Sequence, residues 1–368
     1  MCYYPRFIRN KRYTETKKNG GVVPAVNDWR TMYVPVGCQE CKECRNQKAR
    51  SWQVRMLEDI KNNTNGKFIT LTFSNGNLRK LHNYTINKID ASIDKLQNEK
   101  RFGKEEIKKI NKLKSLKEGY NLDNEIATQA IHLWRERWRK LYQKSPRHFL
   151  VTELGHNGTE NIHLHGIIWT DEGYDKIRDT WGYGYIWPRP EIKREWQKNY
   201  VSEKTVNYII KYIIKQDKDH YGYKSKILTS LGIGHEYTES YNAISNRFKH
   251  KGETNECYRT KSGHKIAMPI YWRNKIYSEE EREKLWIQKL DKQIRYVGGE
   301  KIDISKGMDE YYNTLEWYRK RNTELGYGGG NINWTKKEYE EQRRKAKLLE
   351  RIYSKEDAKF IIENEAPF

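Results

Sequence analysis

The chain has no apolar run approaching the ~20 residues needed to cross a bilayer, and Met1 to Arg12 holds no apolar core of the secretory-signal kind. Membrane-spanning and exported classes are thereby set aside, and a reducing cytoplasm is the expectation. Cysteine is scarce: five in 368 residues, at Cys2, Cys38, Cys41, Cys44 and Cys257. In such a compartment close cysteines read better as metal ligands than as disulfides. No internal repeat or long low-complexity tract is present. Acidic residues are in deficit, 49 against 71 Lys and Arg, leaving a formal charge of +22. That excess favours a polyanionic partner and a salt-sensitive association. Twelve tryptophans and 27 tyrosines suit stacking on unpaired bases, although most must fill the core. Charge identifies a kind of partner and leaves the reaction open.

What is present begins with Asn161-Ile162-His163-Leu164-His165-Gly166-Ile167-Ile168-Trp169. An apolar, β-branched run of this length reads as a strand, in which residues i and i+2 share a face. His163 and His165 then stand side by side and form half of a site for a metal ion. About forty residues on, Val201 to Lys215 reads as a helix with Ser202 as N-cap and Glu203 at its positive end. At ~100° per residue, Val206, Ile209, Ile210, Ile213 and Ile214 share one arc. Tyr208 and Tyr212 fall together on the other side, with Lys204, Lys211 and Lys215 beside them. A phenol is a nucleophile towards phosphorus once its anion is stabilised. The same pattern also describes an ordinary amphipathic helix with Tyr and Lys at its surface.

The two patterns in this order resemble the HUH endonucleases, named for the His-hydrophobic-His triplet. Within them the chain is similar to the rolling-circle replication initiators of the Microviridae, small single-stranded DNA phages, most of all the gokushovirus type. The likeness extends over roughly residues 1 to 235. It takes in Met1 to Pro5, Gly37 to Arg45 and Ala49 to Met56. The strand Phe68 to Asn75 matches the first motif, His163 to His165 the second and Tyr208 to Lys215 the third.

The resemblance implies an α+β fold, an antiparallel sheet with helices packed on one face. It implies Mg²⁺ or Mn²⁺ at the histidines, although the ligand types alone admit zinc. It also implies nicking of phage origin DNA, single-stranded or locally melted, through a 5′-phosphotyrosine, in the cytoplasm of a bacterial host. Tyr208 and Tyr212 would be the nucleophiles, with Lys211 and Lys215 positioning the phosphate. Host helicase and polymerase are the protein partners it suggests. Two other readings stand beside it. One is a non-catalytic, zinc-containing protein that binds single-stranded nucleic acid. The other is a metal-dependent phosphoesterase without covalent catalysis.

Two imidazoles hold a divalent ion loosely, so a third ligand is expected. Arg147 to Leu154 should pair with Asn161 to Thr170 as a hairpin around His156 to Thr159, which makes Glu153 the natural candidate and His156 a weaker one. Glu153 shares the imidazole face only if the connecting loop is odd in length; a two-residue Asn157-Gly158 turn would bring Thr152 round instead. Cys38, Cys41 and Cys44 are spaced as zinc ligands, and Cys2 is the expected fourth; unpartnered reduced thiols are the alternative. The expected organisation is a Cys-rich segment and helix (1–60), an endonuclease core (61–235) with a solvated helical insertion at about 78–121, and a mainly helical C-terminal region (236–368).

Overall fold

Apolar alternation through Arg147–Leu154 and Ile162–Trp169 builds two central strands, and the rest of the fold is arranged by which face of them it covers. The computed structural model describes residues 1–99, 102–156, 160–197, 200–220, 222–328 and, past these, 344, 348, 349, 351–353 and 357. The strands are β1 (Arg6–Arg9), β2 (Tyr33–Val36), β3 (Gly66–Leu71), β4 (Arg147–Leu154), β5 (Ile162–Trp169) and β6 (Ile186–Trp187). They continue with β7 (Ile227–Thr229), β8 (Cys257–Arg259), β9 (Lys265–Ala267), β10 (Ile294–Val297) and β11 (Glu300–Asp303). The helices are α1 (Lys42–Asn62), α2 (Asn75–Gln97), α3 (Lys104–Ser115), α4 (Gly119–Tyr142), α5 (Tyr174–Trp181) and α6 (Lys193–Gln197). Then come α7 (Glu203–Ile214), α8 (Tyr241–Ile244), α9 (Ile270–Ile276), α10 (Glu279–Asp291) and α11 (Asp309–Glu324). No described helix is long and apolar enough to cross a membrane.

The chain forms two compact units, residues 1–59 with 232–332 and residues 60–231 with 333–368. This differs from three consecutive stretches, and the reason is apolar supply. Cys2, Tyr3, Cys41 and Cys44 are buried together with Val297, Ile302, Tyr311 and Leu315, so the Cys-rich start obtains its core from residues far along the chain. The region after residue 236 is also not mainly helical. β8 pairs with β9, and β10 with β11, as antiparallel hairpins. Gly298 and Gly299, at φ +60° and +102°, make the two-residue turn of the second hairpin, a geometry that matches strand twist. Past residue 328 the expected charged helices lie largely outside the described residues.

The other unit contains a five-stranded sheet in the order β6-β3-β5-β4-β7, each neighbouring pair antiparallel. One face presents Ile69, Leu71, Leu150, Leu154, Ile162, Leu164 and Ile168, buried with Ile126, Ala130, Trp134 and Trp138 of α4. The other presents Phe68, Thr70, Phe149, Val151, Glu153, His163, His165 and Ile167, as the register requires. The expectation of helices on one face only is corrected here. α7 lies on the second face, with Tyr208 edge-on to Phe68 and Tyr212 against His165. Its buried Val206, Ile209, Ile210 and Ile213 need an apolar bed, and that face carries buried Phe149, Val151 and Ile167. Four such side chains contribute roughly 6–12 kcal/mol of gross burial.

Within the sheet, a Cβ on Gly166 would fall 1.9 Å from the Phe149 carbonyl oxygen, so only glycine lets β4 and β5 close there. The 78–121 insertion is helical as α2 and α3, but it is not simply solvated. The two helices close on a seam of Ile89, Ile93 and Ile110, while Leu78 and Leu81 reach the main core.

Candidate functional site

Register places the first three groups. Glu153 lies directly across from His163 and Val151 from His165. The connection, residues 155–161, is odd in number, which keeps Glu153 on the imidazole face; Asn157, Gly158 and Thr159 within it are outside the described residues. Glu153 Oε2 is 3.3 Å from His163 Nε2 and 3.0 Å from His165 Nε2. The far nitrogens are also engaged. His163 Nδ1 lies 3.2 Å from the Asn161 carbonyl oxygen, which can only accept, so Nδ1 carries the hydrogen. His165 Nδ1 lies 2.9 Å from Thr70 Oγ1.

With hydrogens held at Nδ1, both Nε2 atoms turn lone pairs towards a carboxylate. Three electron-pair donors within 4.8 Å of one another repel unless an extra proton or a cation stands among them. His165 Nε2 is buried and, although 3.0 Å from Glu153, is aligned with no hydrogen-bond partner among the described residues. Burial lowers the His165 pKa, and the nearby His163 lowers it further, only partly opposed by Glu153. Burial works against the Glu153 carboxylate, yet His163, His165 and Lys215 outweigh it and hold its pKa well below the ordinary range. A neutral imidazole pair, an ionised carboxylate and Nδ1 atoms tied to oxygens form a donor set that fits a divalent cation.

α7 brings the phenols. Thr205 Oγ1 accepts from the Ser202 amide at its start, closing the box that the sequence signals with Ser202. Tyr212 stacks on His165 with ring centroids 4.5 Å apart and planes 9° from parallel. Its hydroxyl donates to the Tyr208 oxygen at 2.6 Å. Burial, that hydrogen bond and the charge of Glu153 raise the Tyr212 pKa, so Tyr212 stays the protonated donor of the pair. Lys215, just past the helix end, places Nζ 2.9 Å from Glu153 Oε1 and 3.3 Å from His156 Nε2. Lys211 is exposed and makes no ion pair among the described residues. The structure therefore brings Glu153, His163, His165, Tyr208, Tyr212 and Lys215 together, and leaves Lys211 at the rim.

His156 is not one of the three convergent donors. Its Nδ1 contacts Asp219 Oδ2 at 2.7 Å, and it groups instead with Asp217 and His220. Asp217 also accepts from the amides of Asp219 and His220, which marks that group as a turn-forming network. Thr70 was missed by sequence reasoning. Its strand alternation was visible, but its position beside His165 depends on a pairing across three intervening helices.

The cysteines gather in the other unit. Cys2 and Cys41 sulfurs are 3.9 Å apart, as are those of Cys38 and Cys44, and all four lie within 4.8 Å of one another. A tetrahedral zinc with sulfurs at ~2.3 Å separates them by roughly 3.8 Å. Amides of Tyr4 and Cys38 donate to Cys2 Sγ, and the Cys41 amide donates to Cys38 Sγ. Hydrogen bonds from Cys41 and Cys44 pull the Cys2 pKa down, while the charge so formed pushes Cys41 up to about 12 and Cys44 higher still. One thiol ionises at the expense of its neighbours, and a cation would let all four do so. The cluster could hold a zinc ion. Gly37 is required beside it, since a Cβ there would lie 2.9 Å from Cys44 Sγ.

Residues 114–217 match the model of a family described as replication-associated protein ORF2. The matched span contains α4, β4, β5 and α7, and with them Glu153, both histidines, both tyrosines, Lys211 and Lys215. It excludes the cysteine cluster. No curated protein and no solved structure matches the chain.

Proposed function

We propose that this chain initiates rolling-circle replication by nicking and rejoining single-stranded DNA, as an HUH-type enzyme of the kind encoded by small single-stranded DNA phages of the Microviridae. The observation that carries the reading is Tyr212 stacked on His165, because it joins a phenol pair to a cation-binding donor set. The similarity of residues 114–217 to a replication-associated family supports it.

Glu153, His163 and His165 would hold Mg²⁺ or Mn²⁺, which when bound offsets negative charge developing on the scissile phosphate. Tyr208 attacks first. Its oxygen accepts the Tyr212 hydrogen bond, which lowers the cost of the phenolate. The tyrosyl O–P bond forms as the bond from phosphorus to the 3′ oxygen breaks. The phenolic proton leaves to solvent, and the departing oxygen takes one up, giving a 5′-phosphotyrosine and a 3′-OH that can prime a host polymerase. Lys215 holds the Glu153 carboxylate in place, and Lys211 meets the phosphate at the rim. With Tyr208 esterified, Tyr212 is free to cleave the regenerated origin, and the released 3′-OH closes the circle. In the other unit Cys2, Cys38, Cys41 and Cys44 hold a structural zinc.

The test is a protein–DNA adduct that survives denaturant, formed from single-stranded origin DNA with Mn²⁺. Tyr208→Phe should cut initial adduct by more than about 10³-fold and Tyr212→Phe by about tenfold, the value of a general catalytic hydrogen bond or more. The double variant should form none while still binding DNA. Cleavage without adduct would instead make the chain a phosphoesterase, and neither cleavage nor adduct would make it a binding protein.

A further inference from the structure

Five rings run in sequence across the second face of the sheet. Trp187 lies edge-on to Phe68 with centroids 5.9 Å apart, Phe68 to Tyr208 at 5.7 Å, and Tyr208 to Tyr212 at 5.3 Å. Tyr212 then stacks on His165. The register explains the line: Trp187 pairs with Thr70, and Thr70 with His165, so the three occupy one cross-strand row. Tyr185, two residues before Trp187, points to the same side, its carbonyl accepting from the Thr72 amide. Exposure changes along the row. Phe68 is buried, whereas Tyr208 is 45 % exposed, Trp187 41 % and Tyr185 81 %. β6 is the edge strand, with β3 as its one neighbour.

A core does not need these outer rings, and an edge bearing two large exposed aromatics is an unusual surface in a chain of mean hydropathy −1.06. The row is continuous with the nucleophiles, and the protein's +22 charge selects a polyanion. A strand whose phosphate lies at Tyr208 has its neighbouring bases within reach of Trp187.

We infer that Trp187 and Tyr185 form a base-binding step, on which the unpaired nucleobases flanking the scissile phosphate stack as the strand leaves over the β6 edge. The inference rests on the nicking reading for one point, that the strand passes over Tyr208. Stacking on an aromatic ring tolerates every base, so the step contributes affinity and placement of the phosphate, with origin sequence read elsewhere.

The experiment is fluorescence anisotropy of the full chain with a labelled oligothymidylate of about twenty nucleotides, a length exceeding one stacking site, without added Mg²⁺ or Mn²⁺. Trp187→Ala should weaken binding about tenfold, and Trp187→Phe should return it to within about threefold of the parent. Tyr241→Ala, 86 % exposed in the other unit, should bind as the parent does. On an oligonucleotide of abasic residues the parent and Trp187→Ala should bind alike. Equal affinity of the two for oligothymidylate overturns the inference. The same tenfold loss on the abasic strand also overturns it, since the ring would then act through the fold or the phosphates. Should Trp187→Ala melt early, Tyr185→Ala makes the same comparison at a ring outside the core. A chain that depends on Trp187 but forms no adduct sinks the nicking reading alone; one that forms adduct but ignores Trp187 sinks the base step alone.

Discussion

Two clusters of metal-ligating side chains sit in two different units of this chain, and their surroundings differ in ways that bear on use. Around the cysteines everything is closed. Cys2, Cys41 and Cys44 are buried, the sulfurs accept backbone amides, and the cluster is embedded with Tyr311, Leu315, Val297 and Ile302. Four thiols complete a tetrahedron and leave no position for a substrate. Around Glu153, His163 and His165 the protein supplies three donors, and the groups are only part-buried. A tyrosine lies against one imidazole and an ammonium against the carboxylate. A closed set can hold chain segments together, whereas an incomplete set beside phenols can admit a phosphate. The same contrast separates anchors from reactive centres in general.

The contrast breaks most visibly if the cysteine cluster is not an anchor. Cys41→Ser should lose the bound zinc and destabilise residues 1–59 and 232–332 by more than about 4 kcal/mol, because binding energy at such a site is folding energy. Hydrogen exchange should rise through α11 and the β10–β11 hairpin and stay slow in β4 and β5. His163→Ala, at the open site, should shift stability by less than about 1 kcal/mol. Unchanged exchange in α11 after Cys41→Ser would show that the thiols are bystanders.

How much of this could be read beforehand depended on whether a feature was local. His163 and His165 share a face because strand geometry gives them no choice, and Tyr208 and Tyr212 share one because they are a helical turn apart. Glu153 was legible only conditionally, since its side of the sheet turned on whether residues 155–161 counted odd or even. The arc of Val206, Ile209, Ile210 and Ile213 announced that α7 would be buried without saying against which face, and the expectation of one covered face failed there. The Gly298-Gly299 turn was in plain view, yet the charged residues around it read as helix. Most hidden was the union of Cys2 and Cys41 with Tyr311 and Leu315, which lie some 270 residues further on. No periodicity within either segment encodes a partner at that distance.

Acid should separate the two regions by cause. In the sheet unit, His148 is buried against Trp134, with Nδ1 3.0 Å from both the Pro146 carbonyl and Ser230 Oγ. Burial holds its pKa down at about 4, against 6.5 for an ordinary histidine. The unfolded chain therefore binds a proton that the folded chain refuses. The stability is present in full above pH 6.5 and declines as pH falls towards 4, by about 3 kcal/mol in all. His148→Gln, which keeps an N–H for the Pro146 carbonyl, should flatten that part of the curve when melting is followed from pH 7 to 4.5. Parallel curves for the two proteins would place the acid sensitivity elsewhere, with zinc release from the thiols as the first alternative.

The smallest effect tests the open site most finely. Thr70 touches no substrate in the proposed reaction, yet its hydroxyl lies 2.9 Å from His165 Nδ1, and that contact decides which way the Nε2 lone pair faces. Valine has nearly the same shape and lacks the oxygen, so Thr70→Val leaves the packing of β3 on β5 in place and frees the imidazole to rotate or change tautomer. Partners of this kind are worth about 10- to 100-fold in metal affinity, and a half-exposed strand position belongs at the low end. The expectation is a Mn²⁺ dissociation constant raised about tenfold by titration calorimetry, with adduct yield recovered by excess Mn²⁺. Thr70→Ser, which restores the oxygen, should return the affinity. A loss that excess metal does not rescue, or that serine does not repair, would mean Thr70 acts through the sheet. An unchanged affinity would mean that His165 is oriented by its stacking on Tyr212, and the phenol would then be a structural part of the cation site as well as its neighbour.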